Sequence, residues 1–511
     1  MQSPYFESPV FNLYLRLPLN FPPLLIMKPA IFSEYAPLSK VLIHTPGAEH
    51  EHVIPWEGDH PLMGANPRVF TELQRDHSDL KSFIGGEIGE ENVLELRTLL
   101  EEIFEQADGR RRMRILQDTL HREAETYVDH LQARGIRLED YQTRFLVSDL
   151  IEGYPRKLTL NNHRLPNIII PPKREMMWMR DSSATTPCGV IINSMASARR
   201  RPEPTLVRSV FKYHPMFDEG SIFLDMVDVV RQMEDDETHA GLQDYFLMEG
   251  GNMLVLSEDT LAIGVGRMDY LYSNRTTRAA FNMLVEKIFS ADYKGKLRRV
   301  YLVNVPDLRG FIHLDTVFNM VGPKSAIVMP YIFGYPDPAG EPHARQVLQH
   351  FVAWLRKNMG GYRTDLSRIP TWDHFEHAGK VEVYDRDYIK KTGKIQRLPQ
   401  TTRYFLDQLV EDQLLDLNQV AWIGGSPDDY PSPYEHLKVA LFEQHNMAGN
   451  VFATAPYRLV AYHRNPLTAA GLRKMMGQQS DNSLLHLMSS NEIRTDNGGP
   501  HCLTMPLLRD E

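Results

Sequence analysis

The chain has 511 residues, 42% of them hydrophobic and 24% charged, and 66 acids against 56 bases leave a net charge of −10. This composition is that of an ordinary globular protein and excludes a disulfide scaffold, collagen or wholesale disorder. With no basic block, the acidic balance argues against a nucleic-acid partner held by bulk charge and favours a cationic small molecule.

Two cysteines, Cys188 and Cys502, cannot staple a chain of this size, so a reducing, cytoplasmic setting is expected. No apolar run reaches the roughly 18 residues of a membrane span, so no membrane partner is expected either. Residues 1–26 are apolar and proline-rich, but Arg16 sits inside the apolar part. That pattern fits a disordered or loosely docked extension better than a signal peptide.

From Ala30 the text alternates short apolar runs with amphipathic stretches, as an α/β protein does. Ser39 to His44 reads as a strand closed by Thr45-Pro46-Gly47. Between 67 and 160 the texture turns helical. Glu91 to Gln106 sets Leu96, Leu99, Leu100 and Ile103 on one face, and Arg112 to Gly135 and Glu139 to Glu152 repeat that character. A helical subdomain at about 75–155, inserted in a sheet-bearing fold that runs over 27–511, is expected. Strands return at 189–193, 260–264, 299–303 and 325–329, and 451–455 with 458–462 reads as a hairpin. Residues 336–400 take no clear assignment. No short-period repeat is visible, and a weak βαβ repeat stays open.

No Walker A, G-x-G-x-x-G, C-x-x-C or H-E-x-x-H motif occurs. His50, His52 and His60 lie among acids at spacings that match no standard zinc site. Four other segments set polar residues against apolar or glycine-rich backbone. Arg180-Asp181 follows four bulky residues and, alone, reads as an ion pair at the edge of a core. Glu249-Gly250-Gly251-Asn252 allows close backbone approach to a ligand, although Gly-Gly is commonly just a turn. His313 and Asp315, if on a strand, would share one face. In Asn497-Gly-Gly-Pro-His501-Cys502, open glycine backbone marks Cys502 as the reactive cysteine, whereas Cys188 reads as core. This inventory suits a guanidinium: two carboxylates can clamp the planar cation, a thiolate can attack its carbon, and a histidine can carry protons.

From about Phe32 onwards these motifs, with Ser39-Lys-Val-Leu-Ile-His-Thr-Pro-Gly47, Gln74-Arg-Asp-His77 and Tyr462-His-Arg464-Asn465, stand in one order, and in that order the chain resembles arginine deiminase. The resemblance implies an α/β fold of the five-bladed propeller (pentein) type with an inserted helical bundle. It implies hydrolysis of L-arginine to L-citrulline and ammonia through a covalent thiouronium on the cysteine. Cys502 would be the nucleophile and His313 the general acid, then base. Glu249 would pair with His313, while Asp181 and Asp315 would grip the guanidinium. Arg180, Arg199, Arg200, Arg275, Asn252 and Asn497 are the further substrate-binding candidates. No cofactor or metal is implied, the partner is a small guanidino compound, and a homo-oligomer stays open.

The chain departs from the family at the substrate's carboxylate end. Asn497 stands where an arginine usually precedes the glycine pair, Glu175 where an asparagine stands six places before the motif aspartate, and Asn252 where Asp often follows Glu-Gly-Gly. Arg494 is a nearby replacement for the missing arginine. Two alternatives therefore accompany the deiminase reading: action on another guanidino compound, such as agmatine or an arginine derivative, and a non-catalytic guanidino-compound sensor.

Overall fold

A three-strand unit recurs through the chain: an antiparallel pair, a helical crossover, and a third strand parallel to the pair's second member. The computed structural model describes residues 26–51, 69–155, 167–235, 243–267, 275–308, 310–336, 341–359, 370–399, 403–477 and 483–510. The expected extension thus lies outside the described residues apart from Ile26, as do His52 and His60.

The described strands form five sheets. Ser183–Thr186 pairs antiparallel with Gly189–Ile192, helix Glu203–Tyr213 crosses over, and Ile222–Asp225 returns parallel. Met253–Ser257, Thr260–Val265, helix Arg278–Ile288 and Arg299–Asn304 repeat the pattern, and Lys380–Asp385 and Arg403–Tyr404 extend that sheet. Phe318–Gly322 and Ser325–Val328 are joined in parallel by Val420–Trp422, and Phe452–Ala455 and Arg458–Tyr462 by Leu484–Met488. The remaining unit is assembled from both ends of the fold. Leu38–Ile43 pairs antiparallel with Met505–Arg509, and helix Phe70–Ile88 leads to its parallel partner Val93–Glu95. Short turns suffice for antiparallel pairs, whereas a parallel return needs a crossover, which is why a helix or a longer segment follows each pair.

Several expectations are corrected here. The helical stretch contains a strand, Val93–Glu95, so the helix expected from Glu91 starts at Leu96. The stretch expected over 112–135 is two helices, Gly109–Leu120 and Glu123–Gln132, broken at His121, which adopts a positive φ of 54°. Within 336–400 the described residues form helix Glu341–Met359, strand Lys380–Asp385 and helix Arg386–Thr392. No described helix is long and apolar enough to cross a membrane.

Leu96–Glu105, Gly109–Leu120, Glu123–Gln132 and Thr143–Glu152 pack their apolar faces into one cluster with Val190, Ile192, Leu206 and Met505. Arg112, buried among them, donates to the carbonyls of Phe104, Ala107, Leu138 and Tyr141 at 2.8–3.2 Å. Replacing it leaves those acceptors without their donor. Arg112→Met is expected to lower stability by about 2–3 kcal/mol, read as a fall in the urea unfolding midpoint; an unchanged midpoint would show that apolar packing alone holds the helices.

Candidate active site

In each unit the chain makes a tight turn immediately before the first strand of the antiparallel pair, and these turns hold the chemistry. Asp181 lies in Met179–Ser182 ahead of Ser183, and Glu249 precedes the turn Gly250–Asn252 ahead of Met253. His313 and Asp315 belong to a turn ahead of Phe318, Asn450 stands two residues before Phe452, and Cys502 three before Met505. The expected strand geometry for His313 and Asp315 is thereby corrected: Leu314–Thr316 is a 3₁₀ turn, with His313 extended at its N-cap.

Hydrogen bonds tie these turns together. Arg180 N–H donates to the Cys502 carbonyl at 3.0 Å, and Cys502 N–H to Asn450 Oδ1 at 3.0 Å. Asn450 Nδ2 donates to the Asp315 carbonyl at 3.4 Å, and Leu314 N–H to Asn252 Oδ1 at 2.9 Å. The last junction is steric. A Cβ on Gly250 would stand 1.9 Å from the Arg180 carbonyl oxygen, and one on Gly251 2.5 Å from His313 Nδ1. The Gly-Gly pair is therefore required by close backbone approach.

A cavity of about 140 Å³ opens here, lined by Cys502, His313, Asp181, Glu249, Glu175, Trp178 and others. Cys502 is 3% exposed, and its Sγ lies 3.5 Å from Asp315 Oδ2 and 3.1 Å from Asn450 Nδ2. Burial, with Asp315 and Asp181 beside it, pushes the thiol pKa well above its usual value. His313 Nε2 bonds Glu249 Oε2 at 2.7 Å, and Nδ1 faces Asp181 Oδ1 at 3.6 Å. Burial opposes its charge, but Asp181 and Glu249 outweigh that and raise its pKa. Asp181 is raised too, by burial, so both members of that pair hold protons more firmly than usual. Asp315 is lowered in spite of its burial, because His501 Nδ1 sits 2.8 Å from Oδ2.

The substrate-binding candidates divide. Arg199, Arg200, Arg275 and Asn497 line the cavity, whereas Arg180, Asn252 and Asp315 lie behind the lining. Arg180 is 1% exposed, donating to the Thr504 carbonyl at 3.1 Å and facing Glu34 Oε2 at 3.4 Å. Asn252 spends both ends of its amide on Thr276 and Leu314. Arg200 binds Asp181 Oδ2 at 2.7 Å and Glu203 Oε2 at 2.8 Å. Glu175 meets Arg199 at 2.7 Å and Arg174 at 3.0 Å, and these cations, with Arg200, hold its carboxyl at about 2 against burial. Arg275 faces Glu249 at 3.5 Å, and Arg494 lies outside the lining. Asn450 and Glu34 carry no sequence signal; each sits in an unremarkable loop, and only the folded contacts reveal them.

Asp181 Oδ1 and Asp315 Oδ1 are buried with no hydrogen-bond partner. Two carboxylate oxygens in want of donors, beside a sulfur nucleophile and a paired histidine, are what a planar cation with several N–H groups satisfies. Asp181, His313 and Cys502 also have ligand atoms within 4.8 Å of one another, a spacing that a metal ion could bridge.

A family model described as arginine deiminase matches residues 64–339 and 415–509. An arginine deiminase from Listeria monocytogenes serotype 4a is 26% identical over 501 residues, covering 94% of this chain and 97% of its own. One from Borrelia duttonii is 24% identical over 495 residues, covering 94% and 98%. Among solved structures, a Pseudomonas aeruginosa DDAH mutant complexed with citrulline aligns with a TM-score of 0.41 at 8% identity, covering 92% of this chain and 98% of that one. An amidinotransferase from Microseira wollei gives 0.41 at 10% identity, covering 95% and 98%. The chain belongs to the arginine deiminase family and is a hydrolase acting on C–N bonds of amidines.

Removing a negative neighbour stabilises a thiolate, so Asp315→Asn should lower the pKa of Cys502. In a Cys188→Ser background, thiolate absorbance would rise at lower pH in the Asp315→Asn variant than in its parent. An unmoved titration would remove Asp315 as a cause of the raised value.

Proposed function

Starting from that family membership, we propose that the chain converts L-arginine to L-citrulline and ammonia through a covalent thiouronium on Cys502. The observation that carries this reading is the pair of buried, unpartnered carboxylate oxygens on Asp181 and Asp315 beside Cys502 and His313.

In the proposed course the substrate guanidinium enters beside Asp181 and reaches the Asp315 carboxyl behind the wall, and its charge lowers the thiol pKa that those same acids had raised. Cys502 loses its proton to solvent water, and the Sγ thiolate bonds to the guanidino carbon. One C–N bond then breaks, His313 delivers its proton to the departing nitrogen, and ammonia leaves. His313, now neutral and held by Glu249, takes a proton from water. The hydroxide adds to the thiouronium carbon, the C–S bond breaks, and the ureido product departs from a regenerated cysteine. In this reading Arg275 and Arg199, which line the cavity, meet the α-carboxylate.

We also read the five strand units as the blades of a five-bladed α/β propeller around this site, with the helices of 75–155 inserted at the first blade. The shared position of the functional turns and the hydrogen bonds between them support that reading.

A second reading, action on agmatine or an arginine derivative, is favoured by one observation: Asn497 lines the cavity where the family has an arginine, and Glu175 already engages Arg199.

The direct test is a coupled citrulline and ammonia assay with L-arginine. Equal molar amounts are expected, with both lost in Cys502→Ala; silence on arginine alongside turnover of agmatine would favour the second reading. Arg275→Ala should lower kcat/KM for arginine about ten- to a hundredfold, as loss of one charge-assisted contact does. Agmatine, which has no carboxylate, should be far less affected, and an equal loss on both would show that Arg275 acts through Glu249 instead.

A further inference from the structure

A second cavity, of about 600 Å³, shares two chain segments with the candidate active site. Lys173 lines it while Glu175 lines the active site, and Asn193 to Met195 line it while Ser197, Arg199 and Arg200 line the active site. Its volume falls within the range of small-molecule sites, about 300–1,000 Å³. Leu120, Leu150, Ile169, Met195, Val227 and Leu247 supply apolar wall.

Among its cations Lys173 is poorly matched, whereas Arg201 pairs with Asp244. Lys173 is 2% exposed, and among the described residues the acceptor for its ammonium is the Pro171 carbonyl at 2.6 Å. An ammonium has three N–H donors, so two of them meet no acceptor among the described residues. Burying a cation in that state is costly, and burial has already drawn the Lys173 pKa down to about 8. Arg231, in the same wall, spends its guanidinium on the backbone carbonyls of Asp118 at 2.8 Å and Thr119 at 3.5 Å. Glu123 and Glu234 also line the cavity, and Glu203 and Glu123 are near enough to oppose the fall in the Lys173 pKa, but among the described residues none of the three forms an ion pair with Lys173 or Arg231.

We propose that this cavity is a second ligand site for a small organic anion, its acidic head held by the unfilled donors of Lys173 and its apolar body lying against the aliphatic wall. A carboxylate and a phosphate share this chemistry. The ligand would rest on the segments that carry Glu175 and Arg200, and so within one or two residues of the active-site charges.

The test is a fluorescence titration of the full chain with anilinonaphthalene sulfonate, an apolar body with an anionic head. Hexyl phosphate, hexanoate, hexanol and L-arginine are then used as displacers. Saturable binding is expected, displaced by one or both acids but by neither hexanol nor arginine, and the stronger acid identifies the head group. Lys173→Met should weaken the acids about tenfold or more. Val230→Trp, which fills the cavity from helix Met226–Asp235, should abolish binding. Unfolding midpoints report that each variant is folded. Displacement by hexanol as strong as by the acids, displacement by arginine, or unchanged affinity in either folded variant would overturn the proposal.

Discussion

The candidate site depends on hydrogen bonds that run from turn to turn rather than along the chain. Asp181, Glu249, His313, Asn450 and Cys502 are far apart in sequence, yet each stands just ahead of the first strand of its own sheet. The junctions between them use backbone N–H groups, the amides of Asn252 and Asn450, and a glycine close enough to touch the neighbouring carbonyl. Each such bond contributes only about 0.5–1.5 kcal/mol net, but leaving a buried donor unmatched costs about 1–3 kcal/mol. A turn that slipped would lose its partner and gain no water in exchange, so the reacting groups are held in fixed relation before any substrate arrives.

That rigidity holds an unusual crowd of acids. Asp181, Asp315, Glu249, Glu175, Glu203 and Glu34 are all buried within a short chain of contacts, and the compensation is selective. Arg200 serves Asp181 and Glu203, His501 stands between Asp315 and Glu34, and Arg180 backs Glu34 from behind. Beside the sulfur, Arg200 and His501 each engage one carboxylate oxygen, and Oδ1 of Asp181 and Oδ1 of Asp315 are left without a hydrogen bond. In the proposed course burial and the neighbouring acids favour the protonated thiol, and an incoming cation both satisfies those acceptors and favours the thiolate. Under the proposed function, substrate recognition and activation of the cysteine become one electrostatic event.

Much of this was readable in the letters, and the reasons differ from case to case. The strands expected at 260–264, 299–303 and 458–462 appear as Thr260–Val265, Arg299–Asn304 and Arg458–Tyr462, because short β-branched runs between turns leave little choice. Glu249-Gly-Gly and Gly-Gly-Pro-His501-Cys502 stood out because close approach admits only glycine. The recurring three-strand unit did not stand out, since it is a property of topology that unrelated side chains can build. Val93–Glu95 is three residues long and lay hidden in a helical stretch. Arg180 read as one half of an ion pair with Asp181; its guanidinium instead turns inward to Glu34, a contact between residues 146 positions apart. Asn450 had no signal at all, because an asparagine that grips a cysteine looks like any loop asparagine.

The sheet closed by Leu38–Ile43 and Met505–Arg509 has a consequence for the timing of assembly. Cys502 is placed by the turn that enters the later of these two strands, and that strand pairs with one of the earliest segments of the fold. While a ribosome is still making the chain, the other four turns can be ordered, but the sulfur has not yet been positioned among them. The candidate site is therefore complete only once this strand has paired with Leu38–Ile43. A chain released short of this strand would contain nearly all of the fold's residues, Cys502 included, without the strand pairing that positions its sulfur.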